Sequence, residues 1–328
     1  MLSLRVYLDL GSANLRLQVE GKEPLEEPSL LALECSSESV RAVGSQAAAL
    51  LGVPLQGVRA LYPLREGLIQ ELPSAQALLR CYLRQLSLWR RLRVRALLPA
   101  HSTPIDRYCW RQLLLSAGAG AVELAPAPLA AALGAEVDMK LPGGFMVIDL
   151  GAGLQQYSIL SQGEILLHRF WPGGGEELTR AVGEGVRREY NLLLAPAALE
   201  EVKRELLAAV GAPRQSELTV NGYDLLSGLP QERRLESRRL RGILAPFLER
   251  WAQEAQEVLR ETPCELAADL VDNGLLLVGG GALLSGLGQY FQERLGLPVK
   301  VASEPGRCAL AGAPLVAAAS LWAESEGR

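Results

Sequence analysis

Two segments of this chain follow the same plan 140 residues apart, RVYLDLGSANLRLQV at 5–19 and FMVIDLGAGLQQYSIL at 145–160. In each, an apolar strand ends in Asp-Leu-Gly, a turn of small residues follows, and a second strand of alternating polar and apolar residues returns. One hairpin of this kind is common. Two copies at this separation predict a duplicated α/β domain in which each copy opens with its own hairpin.

A third glycine-rich element lies at 273–291, NGLLLVGGGALLSGLGQYF. It combines a buried type of strand, a glycine triplet and a predicted helix. Glycines let backbone N–H groups approach a ligand closely, and the amino end of a helix favours an anion. Together with the hairpins, this element indicates a nucleotide site in which hairpin N–H groups contact phosphates and the triplet receives the nucleoside.

Each hairpin also carries a carboxylate where its first strand ends, at Asp9 and at Asp149. A carboxylate repels a phosphate unless a cation or a water lies between them. Both residues are therefore candidates to hold Mg²⁺ through water, and Asp149 is also a candidate to orient an attacking water. A single Asp-Leu-Gly is more often only a hairpin turn, but three elements in this order indicate descent from a nucleotide site.

The other segments are typical of an α/β chain. A buried strand is predicted over 93–100, and 216–236 alternates as strands do. Helices are predicted over 106–119, 127–135, 176–191, 197–211 and 238–263, with Pro246 as a candidate bend in the last.

Composition narrows the function classes. The 328 residues suffice for two domains, and a net charge of −4 gives no case for nucleic-acid binding. Five cysteines without CxxC spacing favour reduced thiols in the cytosol, and the two histidines form no metal-ligand pattern. No apolar run reaches the roughly 18 residues of a membrane-spanning helix, so any membrane contact is expected to be peripheral.

Longer segments resemble the actin/Hsp70 ATPase superfamily and, within it, the MreB family of bacterial actins. The resemblance covers nearly the whole chain in the family's order. Its segments are DLGSAN (9–14), EEPSLLAL (26–33), AVGSQAAALLG (42–52), RALYPLREGLIQE (59–71), YNLLLAPAALEEVKREL (190–206), ETPCELAADLVDNGLLLVGGGALLSGL (261–287) and GLPVKVASEPGRCALAG (296–312).

The resemblance implies an α/β chain with the duplicated actin-like (ribonuclease H-like) ATPase fold. Two lobes built on parallel sheets would hold ATP and Mg²⁺ in a central cleft. Lobe I would have a core of 1–30, 63–140 and 310–328 and a small insertion at 31–62. Lobe II would have a core of 141–173 and 243–309 and a small insertion at 174–242.

The resemblance also implies nucleotide-binding residues, carried over motif by motif. They are Asp9, Gly11, Ser12, Ala13, Asn14, Asp149, Gly151, Ala152, Gly153, Gly174, Gly175, Glu176, Glu200, Lys203, Gly279, Gly280, Gly281 and Ala282. Glu200 and Lys203 match the family's adenosine-contacting helix, but an exposed ion pair between residues i and i+3 would explain them equally well.

Several positions depart from the family's pattern at this site. Ala152 and Leu154 replace a glycine and the final Thr of the second phosphate loop, and Val278 stands where Thr is common. Ala127 occupies the position of the catalytic Glu, and 174–176 read GGE instead of Gly-Gly-Asp. Because Ala cannot polarise a water, hydrolysis is expected to fall by orders of magnitude. The sequence thus predicts nucleotide binding with weak or absent hydrolysis and leaves open whether the chain is an enzyme.

A second functional feature lies within 81–100, where Leu88 and Trp89 are followed by Arg90 and Arg91. Trp favours the membrane interface, and each basic residue near an anionic surface contributes about 1 kcal/mol. MreB-like proteins use an apolar pair at the equivalent loop, so the resemblance supports membrane contact. The alternative is that Leu88 and Trp89 complete the apolar face of the preceding helix.

The leading hypothesis is an MreB-like, cell-shape-determining protein. It would form homopolymeric filaments in the cytoplasm at the inner face of the cell membrane and organise cell-wall synthesis. Its expected partners are copies of itself, the anionic membrane surface, cell-wall or shape-complex proteins and another MreB, but no nucleic acid. A rival is a non-polymerising actin-fold scaffold that recruits partners at the membrane. A phosphotransferase or chaperone of the same fold is disfavoured, since no sugar pocket or peptide-binding domain is recognisable.

Overall fold

The computed structural model describes residues 3–51, 57–86, 91–139 and 143–322. The chain forms two compact units, one of residues 1–142, 160–172 and 307–328 and the other of residues 143–159 and 173–306. The four-part division into cores and insertions stays a prediction.

Both units contain strands and helices. The strands are β1 (Ser3–Leu10), β2 (Asn14–Val19), β3 (Leu25–Pro28), β4 (Leu31–Glu34), β5 (Val40–Val43), β6 (Val58–Leu61), β7 (Leu64–Arg65), β8 (Leu68–Ile69), β9 (Arg91–Leu98), β10 (Ala121–Pro126), β11 (Gly144–Leu150), β12 (Leu154–Ser161), β13 (Glu164–Pro172), β14 (Leu192–Leu193), β15 (Glu217–Asp224), β16 (Pro230–Glu236), β17 (Leu275–Val278) and β18 (Val299–Val301).

The α-helices are α1 (Gly44–Ala48), α2 (Leu72–Leu86), α3 (Pro104–Ala117), α4 (Ala127–Gly134), α5 (Gly175–Tyr190), α6 (Pro196–Leu206), α7 (Ser237–Leu240), α8 (Ala245–Glu261), α9 (Cys264–Asn273), α10 (Leu287–Leu295) and α11 (Cys308–Gly312). Short 3₁₀ helices cover Arg241–Ile243, Gly280–Leu283, Ala313–Leu315 and Ala318–Ser320. No helix of the described residues is both long enough and apolar enough to cross a bilayer.

The two five-stranded sheets correspond strand for strand. Their orders are β10-β9-β1-β2-β3 and β18-β17-β11-β12-β13. In the first, β1, β9 and β10 are parallel, whereas β2 and β3 are antiparallel additions; in the second, β11, β17 and β18 are parallel. This repeated order confirms the predicted duplication. The parallel strands agree with the expected parallel sheets, and the antiparallel β2 is the return strand of the first predicted hairpin.

Residues at the two ends of α3 explain where this helix begins and where it ends. Thr103 and Asp106 form a reciprocal capping box, and Pro104 fits the first helical turn, so the helix begins two residues before the predicted 106. Gly118 ends it in the left-handed conformation with φ of 117°. The buried face of α3 includes Trp110, which joins the hydrophobic core of the first sheet.

Helices α4 and α11 of the first unit pack backbone against backbone. A Cβ atom added to Gly134 would lie 1.8 Å from the carbonyl oxygen of Cys308, and one added to Gly312 would lie 1.8 Å from that of Ala130. Only glycine allows this approach. The contact positions α4, whose first residue is Ala127.

Three predicted elements of the second unit end or begin elsewhere. Helix α6 stops at Leu206 instead of 211. The long helix predicted over 238–263 is divided into α7, a 3₁₀ turn and α8, and Pro246 lies in the first turn of α8, where it begins the helix instead of bending it. The glycine triplet opens a four-residue 3₁₀ turn, and α10 begins only at Leu287, so no α-helix starts at the triplet.

Candidate nucleotide-binding site

The predicted nucleotide-binding residues fall on four loops, which we number in chain order, except Glu200 and Lys203, which lie on α6. Loop 1 comprises residues 9–14 and loop 2 residues 149–154, each at the turn of a duplicated hairpin. Loop 3 comprises residues 173–176 at the start of α5, and loop 4 residues 279–282 after β17. Loop 1 belongs to the first unit and the other three to the second.

Loops 1 and 2 are closed by the same hydrogen bond. The N–H of Gly11 donates to the carbonyl of Asn14 at 2.9 Å, and the N–H of Gly151 donates to the carbonyl of Leu154 at 2.9 Å. A Cβ on Gly151 would lie 2.7 Å from that carbonyl oxygen. The sequence repeat is therefore a repeat of backbone geometry, and the second glycine is required for it.

Loop 1 is held in shape by a serine that the sequence did not single out. Ser29 is fully buried; its hydroxyl donates to the carbonyl of Gly11 at 2.7 Å and its N–H to that of Ala13 at 2.8 Å. The buried hydroxyl of Ser12 accepts a long hydrogen bond, 3.4 Å, from the N–H of Gly67. The loop thus has a fixed conformation independent of any ligand.

Loop 3 docks directly on loop 2. Three N–H groups donate to carbonyls of loop 2: Gly173 to Gly153 at 3.0 Å, Gly175 to Gly151 at 3.0 Å and Glu176 to Ala152 at 2.9 Å. Gly174 has φ of 126°, and a Cβ there would lie 2.6 Å from the carbonyl oxygen of Gly151. Two loops that lie far apart in sequence are thus one packed element, and these N–H groups at the start of α5 are engaged within the protein.

Loop 4 packs against the strand end that carries Asp149. Gly279 has φ of 83°, and a Cβ on it would lie 2.4 Å from Oδ1 of Asp149. The N–H of Gly279 donates to the carbonyl of Pro305 at 2.7 Å, while a Cβ on Gly280 would meet only open space. Loops 2, 3 and 4 of the second unit are therefore brought together around Asp149 and loop 2.

Glu200 and Lys203 do more than form an exposed ion pair. Nζ of Lys203 lies 2.6 Å from Oε2 of Glu200 and donates to the hydroxyl of Thr179 at 2.8 Å and to the carbonyl of Gly175 at 3.3 Å. The Lys203 side chain is only 19% exposed. The pair attaches α6 to the first turn of α5 beside loop 3. Thr179, which the sequence reasoning missed, completes this contact and carried no recognisable signal of its own.

Each predicted carboxylate has a polar partner on the return strand of its hairpin. Asp9 faces Arg16 in the strand register, with Nη1 of Arg16 3.5 Å from Oδ2 of Asp9. Burial raises the pKa of Asp9, and the charge of Arg16 opposes that rise. Asp149 accepts a hydrogen bond of 3.3 Å from Nε2 of Gln156. Both partners were missed because only strand register shows what lies across from a strand end.

Arg16 also binds Glu26 on β3. The two groups approach to 2.8 Å, and Nε of Arg307 contacts the other oxygen of Glu26 at 2.9 Å. Burial would raise the pKa of Glu26, but the two guanidiniums outweigh it and lower that pKa. Asp9, Arg16, Glu26 and Arg307 thus form one charge cluster beside loop 1.

This cluster bears on the predicted Mg²⁺ site. Mg²⁺ prefers oxygen ligands in near-octahedral geometry and dehydrates reluctantly. Asp9 already neighbours a guanidinium, and within the part of the chain that the structure describes no three His, Cys, Asp or Glu side chains converge as a metal site. The carboxylate of Asp9 does not fit a direct Mg²⁺ ligand, because a guanidinium already neighbours it. The predicted water-mediated Mg²⁺ contacts of Asp9 and Asp149 stay predictions.

Two departures from the family pattern have clear positions. Ala127 is the first residue of α4, and its methyl group can neither donate nor accept a hydrogen bond. Leu154 opens β12 with its side chain only 7% exposed, so most of its bulk packs into the protein. The start of α4 therefore carries no carboxylate at position 127.

A partly buried polar network lies next to loop 3. The hydroxyl of Tyr157 donates to Glu254 at 2.8 Å, and Arg250 lies 3.8 Å from Glu254 and 2.7 Å from Glu177 in the first turn of α5. Burial raises the pKa of Glu254 above its usual range. The network joins β12, α8 and α5, and its members are too far apart in sequence for any local pattern to reveal.

Comparison with known proteins agrees with this arrangement. The family model described as MreB/Mbl protein matches residues 3–322. The chain belongs to the MreB/Mbl family. The cell shape-determining protein Mbl of Bacillus subtilis (strain 168) is 32% identical over 316 residues, which cover 95% of each chain. The cell shape-determining protein MreB of Escherichia coli (strain K12) is 32% identical over 321 residues, or 95% of this chain and 92% of the relative.

Solved structures share the fold across the whole MreB-like chain. MreB5 of Spiroplasma citri bound to AMPPNP matches with a TM-score of 0.89 and 30% identity over 96% of both chains. Its ADP-bound form matches with a TM-score of 0.90 over 95% of both chains. A MamK double helical filament matches at 0.78 with 15% identity over 95% of this chain and 98% of that one, which is evidence of fold alone. These matches confirm the predicted family and the actin-like fold.

Proposed function

We propose that this chain is a cell-shape-determining filament protein of the MreB type that binds ATP but hydrolyses it weakly or not at all. The observation that carries the proposal is the packing of loops 2, 3 and 4 around Asp149, together with the same closed hairpin at loop 1. A relative of the same fold, MreB5, has been solved with AMPPNP and with ADP.

The nucleotide would be bound by the residues assigned to the four loops and by Glu200 and Lys203. Glycines at the turns let a phosphate approach the backbone, and the fixed shape of loops 1 and 2 lowers the entropic cost of binding. Lys203 would keep its hydrogen bond to the carbonyl of Gly175 in loop 3 while its ammonium group also faces the bound nucleotide. Hydrolysis would be slow because Ala127 offers no group to accept a proton from an attacking water.

Filament formation is supported by membership of a family whose curated relatives are cell shape-determining proteins. The test is electron microscopy of the purified full-length chain, with and without ATP, alongside sedimentation. We expect filaments that pellet in the presence of ATP. A folded chain that binds ATP yet stays monomeric at micromolar concentration would instead support the non-polymerising scaffold.

Membrane association is the further part of this proposal. Leu88, Trp89 and Arg90 lie outside the described residues, while Arg91 opens β9 with an exposed side chain that donates to the carbonyl of Gly120 at 2.9 Å. Peripheral contact with the inner face of the cell membrane would place the filaments beside cell-wall synthesis proteins. We propose these proteins and a second MreB as partners of the chain.

The prediction is that the double variant Leu88→Ser, Trp89→Ser no longer pellets with anionic vesicles, because an apolar pair no longer enters the interface. Vesicle co-sedimentation measures it. The matched control is Ile105→Ser with Tyr108→Ser, which removes two apolar side chains of α3 that are 74% and 55% exposed in the same unit. If the Leu88 and Trp89 variant pellets as the wild type does, the insertion hypothesis is wrong.

A further inference from the structure

We infer that Arg16 neutralises the carboxylate of Asp9 from within the protein, so that this chain binds a nucleoside di- or triphosphate with little dependence on Mg²⁺. The inference rests on the proposed nucleotide site and concerns which cation neutralises its first loop. It assigns to the chain itself a charge that a bound metal ion would otherwise provide.

The β1–β2 register fixes Arg16 next to loop 1. Leu10 pairs with Leu15 at the turn, so Asp9 and Arg16 form the next cross-strand pair and project from the same face. Their side chains are only 21% and 15% exposed, and their charged atoms are 3.5 Å apart. A shift of the register by one residue would move Arg16 to the opposite face of the sheet, so the placement is a fixed property of the hairpin.

The charges of the cluster balance. Asp9 and Glu26 carry two negative charges, and Arg16 and Arg307 carry two positive ones. Without Arg16, two carboxylates and one guanidinium would lie beside loop 1, and an incoming phosphate would be repelled unless a divalent cation screened them. With Arg16 present, the phosphate meets a neutral cluster.

The guanidinium also limits Mg²⁺ at this position. Arg16 is anchored by two contacts to Glu26, at 2.8 and 3.0 Å, so its place beside Asp9 is held from a second strand. A hydrated Mg²⁺ at Asp9 would have to displace the guanidinium of Arg16, which is already paired with both Asp9 and Glu26. The arrangement favours a permanent cation of the protein over an exchangeable one.

The experiment is calorimetric titration of the full-length chain with ADP, once with Mg²⁺ and once with EDTA. For the wild type we expect the two Kd values to agree within about threefold, less than 1 kcal/mol. For Arg16→Leu we expect the Kd in EDTA to rise at least about tenfold, or 1.4 kcal/mol, and Mg²⁺ to restore much of the loss. Arg16→Lys, which keeps the charge, should behave nearly as the wild type does.

The matched control is Arg5→Leu, because Arg5 lies on β1 of the same hairpin but pairs with Glu20 at 3.1 Å, outside the cluster of Asp9, Arg16, Glu26 and Arg307. It should keep the Mg²⁺-independent affinity. A wild-type Kd that worsens more than about tenfold in EDTA overturns the inference even if Arg16→Leu fails to fold. So does a folded Arg16→Leu variant that binds as the wild type does. A wild type that binds no ADP in either buffer overturns the proposed nucleotide site itself, and the inference with it.

Discussion

Replacing Ala127 by Glu should raise ATP hydrolysis by this chain about 100-fold, the lower end of what a positioned general base contributes. Ala127 is the first residue of α4, where a carboxylate is also favoured by the helix dipole, so the change should not harm the fold. Single-turnover phosphate release measures the effect. Affinity for ATP should change little, since the carboxylate acts on the attacking water and not on the ground-state nucleotide.

The control is Ala135→Glu, which places the same carboxylate at the other end of α4, where Ala135 is the C-cap residue. Its rate should equal that of the wild type. If Ala127→Glu hydrolyses ATP no faster than Ala135→Glu, position 127 is not the place where a general base is missing. If the wild type already turns over as fast as Ala127→Glu, other groups replace the base and the proposal of weak hydrolysis is wrong.

Replacing Gly312 by Ala should destabilise the chain by about 3 kcal/mol, the upper part of the usual cost of overpacking. The new Cβ would lie 1.8 Å from the carbonyl oxygen of Ala130, and 2.5 Å from the amide nitrogen of Gly134. Both atoms belong to the backbone of α4, so no side chain can rotate away and the helices must separate. The backbone of Gly312 has φ of −82°, so the penalty is purely steric.

Thermal unfolding of Gly312→Ala and of Gly242→Ala provides the comparison. Gly242 also lies in a short helix, but an added Cβ there would meet nothing within 4 Å. We therefore expect Gly242→Ala to change stability by less than about 1 kcal/mol, in the stabilising direction. Equal losses in the two variants would mean that the close packing of α4 on α11 does not determine stability. The contact matters for function because it sets where α4, and hence Ala127, begins.

The contrast between Lys203 and Gln156 shows how far sequence reasoning reached. Lys203 could be named from the sequence because its motif is local. The sequence could not decide whether Lys203 belongs to the binding site or only forms an exposed ion pair with Glu200, and the structure added its contact with the carbonyl of Gly175. Gln156 lies in the second hairpin, yet its contact with Asp149 depends on side-chain direction at a strand end. Motifs identify residue types, whereas contacts depend on neighbouring elements.

The sequence by itself determined the duplicated hairpins, the helices with their own caps such as α3, and the family, because turn geometry, side-chain alternation and capping act over a few residues. Only the tertiary structure decided that loop 3 docks on loop 2, that the glycine triplet opens a 3₁₀ turn, and that Asp9 faces Arg16. The physical reason is that these features depend on strand register and on the packing of segments distant in sequence, where charge, burial and steric fit act together.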